Sequence, residues 1–250
     1  MKKIEDINAN LSFIYKLENF NGVIKQIKQD REWTRGGIVI ASRQERIDNS
    51  ILANNLFPNF FPEIKVLSNE TYLRDFVESK TLEEDPESLA KVIEKMFFLH
   101  QDGINLLNNK KDYKVHHLGE LWKKGYIFLK KFMELEDMKS IFTYNVGDAK
   151  ASNLLADSEF VTFDSEGFSI GDISTDITAL IESYQYEKKF DLFEETLILV
   201  KEKYTKLDKN IIKKSLLGLV GIRLLEVLME NREEDLLDEA IKLFEKFENI

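Results

Sequence analysis

The stretch YNVGDAKASNLLADSEFVTFDSEGFSIGDISTD, residues 144–176, decides how the rest of the chain is read. It sets Asp148, Lys150, Asn153 and Asp164 around two short apolar segments, residues 153–156 and 159–163, separated by Asp157 and Ser158. With Asp157-Ser158 as the turn, Ala156 faces Glu159 and Asn153 faces Thr162. Side chains alternate along a strand, so Asp164 projects from the same face as Thr162 and Asn153. Asn153 and Asp164 then form a diagonal pair with Cα atoms roughly 7–8 Å apart. Two oxygen ligands at that separation can converge on one Mg2+, whose remaining shell is usually water or substrate phosphate. Asp148 lies in a loop entered through Gly147, where a carboxylate can accept or orient a hydroxyl proton. Lys150 stands between them as a cation able to neutralise charge on a transferring phosphoryl group. Taken singly, these are ordinary loop residues. Their spacing around an apolar hairpin makes the set informative.

The whole chain limits what such a set can serve. Its 250 residues, 43% hydrophobic and 32% charged, are enough for a well-buried core in one large domain or two lobes sharing a cleft. With 35 Lys+Arg against 45 Asp+Glu, the formal net charge is −10, which disfavours a nucleic-acid partner. One bound nucleotide needs only a local cluster of donors and a cation. The absence of cysteine excludes disulfides, thiolate metal sites and cysteine nucleophiles, and permits a cytoplasmic enzyme. The start, MKKIEDINANLSF, mixes acids and amides where a signal peptide needs an apolar core, and the run Leu216–Ile222 is far too short to span a bilayer. The expectation is a soluble protein without a membrane partner.

Pro58, Pro62 and Pro86 all lie early in the chain, and none follows. The remainder is predicted to be largely helical. Before Pro86 the pattern is mixed. Residues 12–19 and 23–28 read as strands joined through Asn21-Gly22, 36–41 as a further strand or an extended arm, 43–57 as a helix, and 63–67 and 71–77 as two more strands. Asp85 as cap, Pro86 at the first helical position and Gly103 at the end bound a helix whose stripe carries Leu89, Val92, Ile93, Met96 and His100. Further helices are predicted over 118–135 and after Thr178. The organisation expected is α+β and bilobal: a small β-rich N-lobe over 1–76, a hinge over 77–86, and a larger helical C-lobe over 87–250 that carries the 144–176 segment.

At residues 144–176 the sequence resembles the aminoglycoside phosphotransferase and choline kinase-like branch of the protein-kinase-like superfamily. That family's signature is a catalytic loop H-G-D-x-x-x-x-N, a hairpin ending in an aspartate, often I-D-x-E, and then G-D-x-x-x-D. Here the pieces are Val146-Gly147-Asp148 through Asn153, Phe163-Asp164-Ser165-Glu166, and Gly171-Asp172 through Asp176. The resemblance implies a protein-kinase-like fold and Mg2+-dependent transfer of the γ-phosphoryl group of ATP (or GTP) to a hydroxyl of a small molecule. It implies Asp148 as catalytic aspartate, Asn153 and Asp164 as magnesium ligands, and Asp176 as an acceptor bracing the catalytic loop. Val146 stands where the family has histidine, and residues 5–13 contain no glycine-rich loop. Those two departures favour the alternative reading, a pseudokinase acting as a nucleotide- or partner-binding module.

Further candidates extend the site. Lys25 in GVIKQIK matches the strand lysine that reaches nucleotide phosphates, and it shares a strand face with Val23 and Ile27. Glu45 is the candidate helix partner for Lys25, because Leu52 and Leu56 lie on nearly its own stripe. Asp75, Phe76 and Val77 are placed to offer hinge backbone groups to an adenine. His100 reads as a core histidine, His116 and His117 carry no role, and residues 30–37 read as a long turn or a flap.

Overall fold

Val23, Lys25 and Ile27 fall on one face of the strand Gly22–Ile27 by the two-residue period of β structure, and all three are buried. A lysine on a buried strand face has to meet a carboxylate, and the fold is arranged to bring one there. The computed structural model describes residues 2–3, 12–16, 22–27, 34–35, 38–39, 42–116, 118–230 and 234–248. Among them the chain runs through β1 (Lys2–Lys3), β2 (Ser12–Lys16), β3 (Gly22–Ile27), β4 (Thr34–Arg35), β5 (Ile38–Val39) and α1 (Arg43–Leu56). Then follow β6 (Ile64–Ser68), β7 (Thr71–Asp75), a 3-10 turn (Pro86–Ser88), α2 (Leu89–Asn108) and α3 (Leu121–Leu129). The chain ends through β8 (Phe142–Asn145), β9 (Ser169–Asp172), α4 (Ser174–Tyr186), α5 (Phe190–Tyr204), α6 (Ile211–Glu230) and α7 (Glu234–Phe247).

The first sheet has the antiparallel order β1-β2-β3-β7-β6. Lys25 faces Tyr72 across β3 and β7, and Val23 faces Arg74. Directly opposed residues share a face. At one end of that face Ile27 and Tyr72 form a small core with Ile47 of α1, and Ile51 and Ile64 pack against it. Helix α1 is therefore seated on the face that carries Lys25. The expected turn at Asn21-Gly22, the glycine-free stretch 5–13 and the segment 30–37 fall wholly or partly outside the described residues, as does His117.

The larger core joins α2 to α7 with β8 and the loop that follows it. β8 and β9 pair antiparallel, from Phe142 opposite Asp172 to Asn145 opposite Ser169. Residues 146–168 are thus one excursion whose two ends are clamped together by a four-residue ladder.

Two sequence expectations are corrected here. Helix α2 does not end at Gly103 but runs to Asn108. A Cβ on Gly103 would lie 2.3 Å from Thr143 Oγ1, so the glycine is there to let β8 approach the helix. The helix predicted over 118–135 is shorter, Leu121–Leu129. Among the described residues no helix is long and apolar enough to cross a membrane.

Lys95 of α2 ties the excursion to the helical core. Its Nζ donates to the backbone carbonyls of Leu155, Ser158 and Phe160 at 2.5, 3.1 and 3.1 Å. Desolvation, reinforced by Lys91 and opposed by Asp157, lowers the Lys95 pKa to about 8. Lys95→Met is expected to destabilise the protein by about 2 kcal/mol at pH 7, since the donor shared by three backbone carbonyls is lost. In the unfolded chain the lysine titrates near 10.5, so folding releases a proton between about pH 8 and 10.5 and the lysine's contribution grows with pH across that window. Urea melts of both proteins at pH 7, 8.5 and 10 should show the wild-type advantage widening; a constant or shrinking gap would contradict the assignment.

Candidate active site

Gly147, which opens the loop before Asp148, adopts φ 91°, and a Cβ there would lie 1.9 Å from the carbonyl oxygen of Gly167. Only glycine satisfies both constraints. The loop is then held from below by Asp176 at the start of α4. Its Oδ2 accepts from the Val146 N–H at 2.7 Å and its Oδ1 from the Gly147 N–H at 3.0 Å. The same Oδ2 lies 3.0 Å from His100 Nε2, and the Tyr204 hydroxyl lies 3.0 Å from His100 Nδ1. Burial, then the charge of Asp176, pushes the Tyr204 hydroxyl well above its ordinary range, so it remains a proton donor. Val146 is fully buried in this core, as are His100 and Asp176.

Above this base, Asn153 Nδ2 donates to both the backbone carbonyl and Oδ2 of Asp148, each at 3.0 Å. Lys150 Nζ stands 3.4 Å from Asp148 Oδ1. The Asp148 carboxylate is thereby oriented at both oxygens while remaining half-exposed. With its amide nitrogen committed to Asp148, Asn153 keeps its Oδ1 as the acceptor end.

The register of the apolar hairpin differs from the expectation. Leu154, not Asn153, bridges to Thr162, and the Leu155 N–H bonds to the Val161 carbonyl at 2.9 Å. Asp157-Ser158 is not a two-residue turn but part of a longer loop. The physical reason is that this loop's polar groups bond outward: Asp157 accepts from Ser79 Oγ and the Lys80 N–H, and Lys95 gathers three of the loop's carbonyls. Asn153 and Asp164 are nevertheless joined by one hydroxyl. Thr162 Oγ1 donates to the Asn153 carbonyl at 2.8 Å and accepts from the Asp164 N–H at 3.0 Å.

Lys25 reaches this unit from the sheet. Its Nζ lies 3.2 Å from Asp164 Oδ2 and 2.8 Å from Glu166 Oε1. Burial acts to lower the Lys25 pKa, but the charges of Asp164 and Glu166 outweigh it and hold it above the ordinary lysine range. For Asp164 burial pushes upward, while Lys25, then Arg74 and Arg46, outweigh it and hold the carboxyl below its ordinary range. Glu166 also receives Arg46 Nη2 and, at 2.9 Å, the Tyr72 hydroxyl, and its backbone carbonyl accepts from Asn49 Nδ2 at 3.0 Å.

Glu45 is not the helix partner of Lys25. It is exposed, and its carboxylate accepts from the Ser42 N–H at 2.8 Å while Ser42 Oγ accepts from the Glu45 N–H, a capping box at the start of α1. The buried stripe of α1 is Arg46, Ser50, Ala53 and Phe57, about one residue around from the Glu45–Leu52–Leu56 stripe, and Leu52 is 41% exposed. Helix α1 thus presents a cation, and the carboxylate comes from Glu166. Asp75 ends β7 in an exposed position, and Val77 follows it, half-buried, where the chain leaves the sheet.

Arg46 and Tyr72 were not singled out from the sequence, and Glu166 and Thr162 were named there without a role in the site. Glu166 stands two residues after Asp164, a spacing that puts both acids on one side of an extended segment. Arg46 begins the stripe Arg46–Ser50–Ala53–Phe57, which was there to be read.

The donor set fits a hard cation. Asp164 offers a carboxylate and Asn153 an amide oxygen. Among the described residues no group of three His, Cys, Asp or Glu side chains is arranged to hold a metal. A cation here would complete its shell from water and a ligand's oxygens, the habit of Mg2+.

No protein-family model and no curated protein matches this sequence. Solved structures do match the fold. Choline kinase LicA from Streptococcus pneumoniae superposes with a TM-score of 0.62 at 14% identity, over 96% of this chain and 91% of that one. A choline/ethanolamine kinase family protein from Mesorhizobium loti gives 0.57 at 11% identity over 100% and 88%. A streptomycin–ATP–APH(2")-IIa ternary complex gives 0.55 at 16% identity over 97% and 92%. The chain has the α+β fold of these kinases.

Glu166→Gln should cost about 3–5 kcal/mol, because it leaves Arg46 buried against a neutral amide and Lys25 with Asp164 alone. Urea denaturation measures this directly. A loss below about 1 kcal/mol would mean the ion cluster is relaxed by water and does not organise the site.

Proposed function

We propose that the protein is a phosphotransferase that moves the γ-phosphoryl group of a nucleoside triphosphate, ATP or GTP, to a hydroxyl of a small molecule. The observation that carries this reading is Lys25 reaching from the sheet onto Asp164, which Thr162 ties to the Asn153 that orients Asp148. A strand lysine, an amide–carboxylate cation site and an oriented carboxylate at one surface are the parts that in-line phosphoryl transfer needs. The kinases that share the fold support the same chemistry, and their named substrates, choline and aminoglycosides among them, suggest a cationic small molecule as acceptor.

In this reading residues 1–76 cover the nucleotide, 77–86 form the hinge, with Asp75 and Val77 at the base, and 87–250 carry the acceptor site. Lys25 exchanges its bond to Asp164 for phosphate oxygens, and Asp164 and Asn153 Oδ1 hold the cation. Bound Mg2+ would supply charge neutralisation at the phosphates. Asp148 takes the hydrogen bond of the acceptor hydroxyl and aligns its oxygen with the phosphorus, and Lys150 offsets charge on the transferring group. Glu166, itself held by Arg46, keeps Lys25 in place as the nucleotide enters and leaves. Val146 takes no part in the chemistry, because its side chain is enclosed in the core beneath the loop.

Turnover of a small amino alcohol or aminoglycoside panel, read as nucleoside diphosphate released, is the direct test. Asp148→Asn and Asp164→Ala should each lower turnover by about 10^2-fold or more with the fold intact by circular dichroism. Calorimetry should show Mg2+-dependent nucleotide binding that Asp164→Ala abolishes and Asp148→Asn leaves in place. Binding indifferent to both metal and Asp164 would point instead to a nucleotide-binding module without turnover.

A further inference from the structure

The face of β3 and β7 that carries Lys25 is covered by α1 at one end. Beyond Lys25 and Tyr72 in one direction, Ile27 is sealed under Ile47 and Ile51 of α1. In the other direction the next pair is Val23 and Arg74, about 7 Å away at the strand repeat. There β7 ends, and the chain leaves the sheet through Asp75 and Val77. On the phosphotransferase reading, a nucleotide whose phosphates meet Lys25 and Asp164 places its base toward Val23 and Arg74, away from the end that α1 covers.

Arg74 is an unusual residue for that position. Its neighbours across the sheet are apolar, Val23 and Ile64. It is 8% exposed, its guanidinium lies 5.0 Å above the ring of Phe163, and its Nε–H is buried without a partner. Phe163 immediately precedes Asp164, so the guanidinium lies beside the cation site, where its charge acts on the Asp164 carboxyl. Arginine has donors only. An edge that offers acceptors satisfies it, and an edge that offers a donor leaves both groups unpaired.

We infer that Arg74 selects the nucleotide base and that this protein uses a 6-oxopurine triphosphate, GTP in preference to ATP. Guanine and hypoxanthine present O6 and N7, two adjacent acceptors that match a guanidinium edge. Adenine presents an amino N–H2 at C6, a donor facing a donor. This inference rests on the phosphotransferase reading and specifies its nucleotide.

Calorimetric titration of GTP, ITP and ATP into the whole protein with Mg2+ tests it. GTP and ITP should bind with similar affinity and at least about tenfold more tightly than ATP, since ITP shares O6 and N7 with GTP but lacks the 2-amino group. Arg74→Met should abolish the preference by weakening GTP and ITP without weakening ATP. Arg74→Gln, which can accept from the adenine amino group and donate to N7, should reverse it. Thermal melts establish that each variant is folded, and the wild-type ranking is decisive by itself. ATP binding as tightly as GTP in the wild type, or a ranking unchanged in both variants, would overturn the inference while leaving the phosphotransferase reading intact. Failure of all three nucleotides to bind would overturn both.

Discussion

The carboxylate of Glu166 is the point on which the arrangement depends. It receives Lys25 from β3, Arg46 from α1 and the Tyr72 hydroxyl from β7, three elements far apart in sequence. Burying any one of these cations alone would be costly; sharing one carboxylate, with Asp164 beside it, makes the burial tolerable. The first sheet and its helix are thereby bound to the segment after the hairpin. Removing the acid would leave Arg46 buried without its bonded carboxylate and Lys25 with Asp164 alone, so the same group that organises the site also makes the site fragile.

A second, separate clamp fixes the other half. Asp176 accepts two backbone N–H groups at the entrance of the Asp148 loop and is itself held by His100, which meets Tyr204. The β8–β9 ladder closes the ends of the excursion, and Lys95 holds its far loop. Between these fixed points Asp148, Asn153 and Asp164 are placed by short hydrogen-bonded links through the Asn153 amide and the Thr162 hydroxyl. Little freedom is left to be lost when a ligand binds, which is what a site working by positioning requires.

Charge is distributed against the chain's overall balance. The protein as a whole is acidic, yet Lys25, Arg46 and Arg74 gather at Asp164 and Glu166. A local excess of cations of this kind is costly to maintain without a ligand, and it suits a polyanionic ligand whose far end is a hydrogen-bond acceptor.

Much of this was legible in the sequence. The order of strands and helices followed from apolar periodicity, the prolines and the capping pattern, and Lys25 betrayed itself as a lysine on a face with Val23 and Ile27. Asp148, Asn153, Asp164 and Asp176 were visible as a set because they are close in sequence. Tertiary structure decided the rest. The hairpin register moved by one residue because Lys95 and Ser79 compete for the turn's polar groups from distant elements. Glu45 is a helix cap and Glu166 the partner of Lys25, because a cap is a local contest settled within four residues, whereas an ion pair spanning 120 residues or more exists only once the sheet has docked. Periodicity identifies which residues share a face; what that face meets is set by packing, and packing is not written in any single stretch of the chain.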